Sequence, residues 1–287
     1  MRKVVIIGAG HVGSHCGYAL AHSGVASEIV LVDVDKDKAH AQALDIADSV
    51  SFCERETVVR DGDYKDCEDA ALVVVAIGEA RKPGQTRLDM LGRSVEMLKE
   101  LLEQLKPYKI PGIVVTITNP ADIVADYVRK GLGLERNRVF GTGTLLDTAR
   151  LIRTLSEESG VGRRSIQAYS LGEHGDSSMI PFSSVTIGGL PFDDISKEKV
   201  LEATRQIGMT IIEGKKSTEF GIGRALTEMA ACILRDEKKI MPASVLLQGE
   251  YGQHDVHCGV PCLIGKNGIE KIIELPLTEE EQEMLNK

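Results

Sequence analysis

The chain has 287 residues, of which 43% are hydrophobic and 27% are charged, a composition typical of a globular protein with a large core. Its formal net charge of -9 argues against nucleic acid and anionic membranes as partners, because an acidic surface repels both. No apolar run is long enough to span a membrane, and the amino terminus enters a strand pattern without a signal peptide, so we expect a cytoplasmic protein.

The first half, residues 1–142, alternates short apolar runs with helix-length segments. Strands are predicted at Val4–Ile7, Ile29–Val34, Ala71–Ile77, Ile113–Thr118 and Arg138–Gly141. Helices are predicted between them at His11–Ser23, Lys36–Ser49, Arg93–Leu105 and Ile123–Lys130. Nearly continuous apolar strands suit a parallel sheet that is buried on both faces. Their alternation with helices predicts a doubly wound α/β sheet.

The second half, residues 143–287, has a mixed order of elements. Helices are predicted at Leu145–Glu158, Lys197–Glu213 and Gly223–Leu234. Strands are predicted at Gln167–Leu171, Val185–Ile187, Ala243–Leu247, Pro261–Ile264 and Gly268–Ile273, with a hairpin-like turn over 188–191. Thr278-Glu-Glu-Glu281 is a capping-box pattern that predicts a further helix. This order indicates an α+β substrate domain packed on the first domain.

The segment Gly8-Ala-Gly10-His-Val12-Gly13 directly follows the first strand and opens the first helix. Glycines at this spacing allow a tight turn and a close approach of the backbone to a pyrophosphate, which the helix amino terminus can bind. A G-x-G-x-x-G pattern is weak evidence alone, but this context predicts a Rossmann dinucleotide-binding domain. We expect Gly8, Gly10, Val12 and Gly13 to contact the cofactor.

Asp33 lies twenty residues past Gly13, at the end of the second predicted strand. A carboxylate there accepts hydrogen bonds from the ribose hydroxyls of the cofactor and repels a 2′-phosphate, so NAD is favoured over NADP. The nearby Lys36 and Lys38 leave NADP open as an alternative.

A metal site is the other cofactor question that the sequence raises. His254, His257, Cys258 and Cys262 lie close together, but zinc sites usually combine ligand pairs from two separate segments. We therefore expect a surface loop that runs into a strand, and no metal. The six cysteines lack the spacing of a disulfide framework, which fits a reducing compartment.

Five motifs carry a resemblance to a known family. They are Gly8-x-Gly-x-x-Gly13, Arg81-Lys-Pro-Gly-Gln-Thr-Arg87-Leu-Asp, Thr118-Asn-Pro120, Leu146-Asp147-Thr-Ala-Arg150 and Gly172-Glu-His174-Gly-Asp. In order and spacing they resemble the lactate/malate dehydrogenase family over nearly the whole chain. The resemblance implies an NAD-dependent L-2-hydroxy-acid dehydrogenase that is a homodimer or homotetramer.

The resemblance assigns His174 as the proton donor, Asp147 as its partner and Arg150 as the ligand of the substrate carboxylate. The residue types suit these tasks. Imidazolium delivers a proton near neutral pH, and a buried carboxylate favours the charged ring. The guanidinium group of Arg150 can bind a carboxylate with two parallel hydrogen bonds.

Two further contacts with the reacting group follow from the resemblance. Arg87 lies in a glycine-rich and charged segment, 78–92, that is similar to the family's mobile loop, and closure would bring it to the ketone oxygen. Asn119 follows a predicted strand and is expected to hydrogen-bond the reacting oxygen or the nicotinamide amide. The carboxyl end of a strand is where an open α/β sheet binds its ligand.

The choice of substrate depends on Arg81 and Thr218. Arg81 matches the family's specificity position, where malate enzymes have arginine and lactate enzymes usually have glutamine. A second arginine suits the second carboxylate of oxaloacetate, whereas beside the methyl group of pyruvate its charge would be desolvated and unpaired. Thr218 matches a position where lactate enzymes have threonine. We expect malate as the substrate, with L-lactate as the alternative.

Two rival classes are open to test. NAD-dependent glycosidases use a transient hydride transfer and a metal, but they have a cysteine where this chain has Thr118. A catalytically inactive NAD-binding regulator would lack the His174–Asp147 pair or Arg87, and this chain retains them.

Overall fold

The structure is a computed structural model that describes residues 2–78, 87–175, 177–191 and 196–287, with the backbone alone for 87–91. The strands are β1 (Lys3–Ile7), β2 (Glu28–Val32), β3 (Val58–Asp61), β4 (Leu72–Val75), β5 (Ile113–Thr116), β6 (Val139–Gly141), β7 (Ile166–Gln167), β8 (Thr186–Ile187), β9 (Leu190–Pro191), β10 (Lys239–Gln248), β11 (His254–Gly265) and β12 (Gly268–Ile272). The helices are α1 (His11–Ser23), α2 (Lys36–Ser49), α3 (Arg87–Leu105), α4 (Ala121–Leu132), α5 (Leu145–Ser159), α6 (Lys197–Lys215), α7 (Phe220–Arg235) and α8 (Glu279–Leu285).

One sheet runs through both halves of the chain in the order β3-β2-β1-β4-β5-β6-β10-β11-β12. The strands β1 to β6 pair in parallel, and their order reverses between β1 and β4. This is the Rossmann arrangement, and the crevice at the reversal is where such sheets bind nucleotides. The predicted Rossmann fold is confirmed.

Strand β1 shows why the sheet is parallel and central. All five of its residues are buried, and alternate side chains enter the cores on opposite faces of the sheet. Val4 and Ile6 pack in a core that includes residues of α1 and α7, and Val5 and Ile7 pack in a core that includes residues of α3 and α4. Burying each such side chain stabilises the fold by about 1.5–3 kcal/mol relative to an exposed one.

The second half adds three antiparallel strands and a smaller layer. Strand β10 joins β6 through the pair Ser244 and Gly141 and is followed by the antiparallel strands β11 and β12. The strands β7, β8 and β9 form a separate small sheet, beside a core that includes Leu151 and Val200. The predicted domain division at residue 142 falls between β6 and α5, and it stays a prediction.

Helix ends agree with the sequence where caps are strong. Helices α1 and α2 have the predicted bounds, because Gly24 ends α1 in a left-handed conformation and the Asp35 side chain caps α2. The capping box at Thr278 and Glu281 is confirmed, with both reciprocal hydrogen bonds present.

Other element boundaries were predicted wrongly. Strand β3 was missed because its residues are partly exposed at the edge of the sheet and form no apolar run. Helix α3 begins at Arg87 rather than Arg93, so Gly92 lies inside the helix and does not precede it. Strands β10 and β11 are longer than predicted because they pair over almost their whole length.

Among the described residues, no helix is long and apolar enough to cross a membrane.

Candidate active site

The glycine-rich turn lies at the carboxyl end of β1, where the strand order reverses. Gly8 has a φ of 108°, and a Cβ there would lie 2.4 Å from the carbonyl oxygen of Ala76. A Cβ on Gly13 would lie 1.8 Å from the Gly8 oxygen. Neither position accepts a side chain, so glycine is required for α1 to pack this closely against the turn.

The first turn of α1 is open to a ligand. The helix begins after Gly10 without a side-chain cap, and a Cβ on Gly10 would meet nothing within 4 Å. The first N–H groups of a helix lack intrahelical partners and carry partial positive charge, so they suit a pyrophosphate. Val12, in this first turn, is partly buried and packs against the core.

Asp33 directly follows β2, and its carboxylate holds the glycine-rich turn. Its Oδ2 accepts a hydrogen bond from the Ala9 N–H at 2.7 Å, and its Oδ1 accepts one from the Asp35 N–H at 3.0 Å. Each oxygen keeps a further lone pair for a ribose hydroxyl. Lys38 lies 3.7 Å from the carboxylate, so a cation is close to the predicted ribose position.

A cleft of about 600 Å³ connects these groups and is lined by Gly8, Gly10, Asp33, Tyr64 and Ile77, among others. It combines close backbone approach, helix N–H groups and a carboxylate at the carboxyl ends of β1, β2 and β4. The residues present therefore fit a dinucleotide.

His174, Asp147 and Arg150 form a second cluster. Asp147 and Arg150 lie one turn apart at the start of α5, and His174 lies in the segment between β7 and β8. The Nδ1 atom of His174 is 2.6 Å from Asp147 Oδ2, and Arg150 Nη1 donates to Asp147 Oδ1 at 3.0 Å. One carboxylate thus holds an imidazole and a guanidinium group, and the structure brings together the three residues that the sequence predicted.

Burial and charge act in opposite directions on this pair. Burial alone would lower the pKa of His174, but the hydrogen bond and charge of Asp147, with the charge of Asp122, outweigh burial and raise the pKa. Burial would raise the pKa of Asp147, but His174 and Arg150 outweigh it and hold that pKa below its usual range. The contact between His174 and Asp147 therefore favours a charged ring beside a charged carboxylate. The charged ring can deliver a proton near neutral pH.

Asp122 belongs to this cluster, and the sequence analysis missed it. Its Oδ2 accepts a hydrogen bond from the backbone N–H of His174 at 3.0 Å, and its Oδ1 accepts one from the Ser244 hydroxyl at 2.5 Å. The available signal was its position in the first turn of α4, three residues after Asn119, at the carboxyl edge of the sheet.

The remaining predicted site residues of the substrate pocket are Asn119, Thr218, Arg87 and Arg81. Asn119 is exposed and lies three residues past the end of β5, joined to Pro120 by a cis peptide bond. Thr218 is partly buried in the turn between α6 and α7. Arg87 is the first residue of α3 rather than part of a loop, and its side chain lies outside the described residues, as does all of Arg81.

No group of three or more histidine, cysteine, aspartate or glutamate side chains within the described ranges is arranged to hold a metal ion. His254, His257, Cys258 and Cys262 all lie on strand β11. The sequence predicted a strand at Cys262 but a loop at the other three residues. The loop prediction failed because pairing with β10 starts the strand at His254.

A Rossmann crevice and a histidine–aspartate–arginine cluster in one chain suit a dinucleotide-dependent oxidoreductase. Residues 2–141 match the family model of the lactate/malate dehydrogenase NAD-binding domain, and residues 144–287 match that of the lactate/malate dehydrogenase alpha/beta C-terminal domain. The chain belongs to the lactate/malate dehydrogenase family. It is an NAD-dependent oxidoreductase that acts on the CH–OH group of 2-hydroxy acids.

Individual relatives align over almost the whole chain. L-lactate dehydrogenase of Fusobacterium nucleatum subsp. nucleatum is 44% identical, over 98% of this chain and 92% of the relative. L-lactate dehydrogenase 3 of Bacillus anthracis is 40% identical, over 100% of this chain and 94% of the relative. The crystal structure of the minor L-lactate dehydrogenase from Enterococcus mundtii in its ligand-bound form superposes with a TM-score of 0.96 at 37% identity, over 99% of this chain and 94% of that chain.

Proposed function

We propose that this enzyme interconverts L-lactate and pyruvate, with His174 as the proton donor and acceptor. The observation that carries the chemistry is the partly buried His174–Asp147–Arg150 cluster, with contacts of 2.6 Å and 3.0 Å. Lactate is supported over malate by the relatives at 40% and 44% identity, which are L-lactate dehydrogenases by name. Thr218 supports the same choice.

The roles of the residues follow from their charges. Bound by the glycine-rich turn and Asp33, NAD would supply or accept the hydride at the substrate carbon next to the carboxylate. Arg150 binds the carboxylate of the substrate. It also contacts the carboxylate of Asp147, which His174 contacts through its other oxygen. When pyruvate is reduced, the charged ring of His174 gives its proton from Nε2 to the forming hydroxyl, while Asp147 holds the opposite ring nitrogen. When lactate is oxidised, the neutral ring takes the hydroxyl proton.

Two further residues complete this proposal. Asn119 hydrogen-bonds the reacting oxygen or the nicotinamide amide, and Arg87 stabilises the negative charge that grows on that oxygen. The glycine-rich turn, Val12 and Asp33 hold the cofactor.

Malate is the second candidate, and Arg81 is the residue that favours it. An arginine facing the substrate would pair with the second carboxylate of oxaloacetate. With pyruvate the same charge would lack a partner, which reduces catalysis. We therefore propose that Arg81 leaves this lactate dehydrogenase with appreciable activity on oxaloacetate.

A panel of keto acids tests the function. NADH oxidation is followed by absorbance with pyruvate and with oxaloacetate, for the wild type and for Arg81→Gln. We expect wild-type kcat/KM to be higher with pyruvate, and the substitution to raise the pyruvate-to-oxaloacetate ratio about 10-fold. A wild-type preference for oxaloacetate would establish malate as the substrate, and an unchanged ratio in Arg81→Gln would remove the proposed role of Arg81. No oxidation with either acid would contradict both candidates.

A further inference from the structure

His22, Ser49 and Cys53 form a group of side chains that we call the thiol cluster, at the end of α1 that is far from the glycine-rich turn. His22 lies in the last turn of α1, Ser49 ends α2, and Cys53 lies in the turn between α2 and β3. The Cys53 Sγ atom is 3.6 Å from His22 Nδ1, and the Ser49 hydroxyl oxygen is 3.1 Å from His22 Nε2. One imidazole therefore joins a thiol to a hydroxyl.

The Ser49 hydroxyl determines which nitrogen of the neutral ring carries the proton. Its single hydrogen is donated to the carbonyl oxygen of Ile46 at 2.7 Å, so its oxygen accepts from the ring rather than donating to it. His22 Nε2 then carries the ring hydrogen, and Nδ1 is the acceptor that faces Cys53. A neutral imidazole nitrogen at this distance can accept the proton of the thiol.

Local packing holds both sides of this contact. The ring centroids of His22 and Tyr18, one turn earlier on α1, are 4.2 Å apart. The Cys53 N–H donates to the Val50 carbonyl oxygen at 3.0 Å, and the Cys53 side chain packs partly against the core. A nucleophile within reach of a base that a third group orients is the arrangement that activates a cysteine.

The other five cysteines are buried: Cys16, Cys67, Cys232, Cys258 and Cys262. Burial raises the pKa of each of these thiols. Such thiols react slowly, because the thiolate is the nucleophile and the reagent must reach it. Cys53 is partly exposed, and within the described ranges, which contain all six cysteines, it alone has a sulfur atom in hydrogen-bond contact with a histidine.

We propose that Cys53 is a site of reversible modification that reacts with low-molecular-weight disulfides. The thiol proton moves to His22 Nδ1, and the thiolate attacks one sulfur of the incoming disulfide. The S–S bond of that disulfide breaks as the bond to Cys53 Sγ forms, and the departing thiolate takes the proton from His22. One thiol and one disulfide thus give one mixed disulfide and one thiol, so the incoming disulfide is the only oxidant. Excess thiol reverses the reaction by the same steps.

The thiol cluster is remote from the pyrophosphate end of the cofactor crevice. His22 lies twelve residues past Gly10, which is about 18 Å along α1 at the rise of a helix. Modification of Cys53 should therefore leave the affinity for NADH within about two-fold of that of the unmodified enzyme. Modification at this site is thus distinguishable from unfolding that exposes the buried cysteines, because unfolding abolishes NADH binding.

A disulfide probe tests the site. Native enzyme is incubated at pH 7 with oxidised glutathione and analysed by intact mass and peptide mapping. We expect one adduct per chain, at Cys53, that dithiothreitol removes and that Cys53→Ser does not form. NADH affinity, measured by fluorescence, should be retained in the adduct. An adduct at a buried cysteine instead, no adduct on the native enzyme, or an adduct that no longer binds NADH would overturn the proposal.

Alkylation rates test the part played by His22. The reaction of native enzyme with iodoacetamide at pH 7 is followed for wild type, His22→Gln and Ser49→Ala. An ordinary thiol is only a few per cent ionised at pH 7, so loss of the base in His22→Gln should lower the rate at Cys53 about 10-fold. Ser49→Ala should lower it only a few-fold, because water can accept from Nε2 of this exposed ring.

His40→Gln is the matched control, since this exposed histidine on α2 contacts Asp61 rather than a thiol. Its alkylation rate should equal that of the wild type. Equal rates in wild type and His22→Gln, or an equal loss in His40→Gln, would overturn the assignment of His22 as the base. If His22→Gln does not fold, Ser49→Ala decides, and a wild-type rate there overturns the same assignment. These measurements use no keto acid, so failure of the proposed function would not affect them.

Discussion

Two of the histidine–aspartate pairs among the described residues behave in opposite ways. His174 lies 2.6 Å from Asp147, and His257 on β11 lies 3.4 Å from Asp126 on α4. The pKa of His174 is raised, whereas burial lowers the pKa of His257 to about 4. A carboxylate near an imidazole is therefore not sufficient to make a proton donor.

Hydrogen bonding and the neighbouring cations explain the difference. Within the part of the chain that the structure describes, neither ring nitrogen of His257 has a hydrogen-bond partner, and the charges of Arg129 and Lys130 oppose that of Asp126. Asp147 by contrast is hydrogen-bonded to His174, and Asp122 adds a second negative charge. His257 is thus a neutral packing residue at pH 7, and His174 is suited to exchange a proton there.

The largest expected effect comes from substituting His174 and, in a separate variant, His257. His174→Asn should lower kcat for pyruvate reduction about 1,000-fold, because the proton donor is lost while the cofactor crevice is untouched. The matched variant His257→Asn should keep kcat within a few-fold. Steady-state kinetics with NADH affinity as a control measures both, and equal losses would contradict the assignment of His174.

The second effect is on stability at low pH. The unfolded chain protonates His257 near the ordinary value of about 6.5, but the folded chain does so only near 4, so protons favour unfolding between these values. Between pH 6.5 and 4 the wild type should lose roughly 3 kcal/mol of its free energy of unfolding relative to His257→Leu. Urea denaturation at several pH values measures this difference.

His174 provides the internal control for that titration, because its shift has the opposite sign. Its raised pKa contributes stability below the unfolded value that is lost as pH rises through the folded pKa. Relative to His174→Asn, the wild type should therefore gain stability at low pH. A pH-independent difference between wild type and His257→Leu would contradict the burial of a neutral His257.

The third effect concerns Asp147. Asp147→Asn should lower kcat for pyruvate reduction about 100-fold, because the amide neither orients the ring as well nor favours its charged form. The fall of kcat/KM with pH should also move to lower pH. Asp126→Asn, which changes the other pair, should leave both quantities as in the wild type, and a shift of equal size there would break the comparison.

The sequence predicts the parts of this molecule that depend on local patterns. Helix α2 could be bounded because Asp35 is a good amino-terminal cap, and β1 because its apolar run ends at Gly8. Strand β3 could not be predicted, since a partly exposed edge strand has no distinctive run of apolar residues. The clustering of His174, Asp147 and Arg150 was predicted by resemblance to a family, not by spacing.

The opposite pKa shifts of His174 and His257 could not be predicted from the sequence. The sequence predicted a surface loop at His257, because the burial of this residue and its approach to Asp126 depend on how β11 packs on α4. Asp122 was missed for the same reason: its hydrogen bonds reach residues 52 and 122 positions away in the chain. Contacts at such separations are set by tertiary packing rather than by local pattern.

A histidine titration by NMR tests the central claim most directly. The protein is labelled with ¹³C at the histidine ring carbons, and His174 and His257 are assigned by comparison with His174→Asn and His257→Leu. We expect the His174 signal to titrate above the ordinary value of about 6.5 and the His257 signal to titrate well below it. A His174 ring that titrates at or below the value of a free histidine would contradict its role as the proton donor.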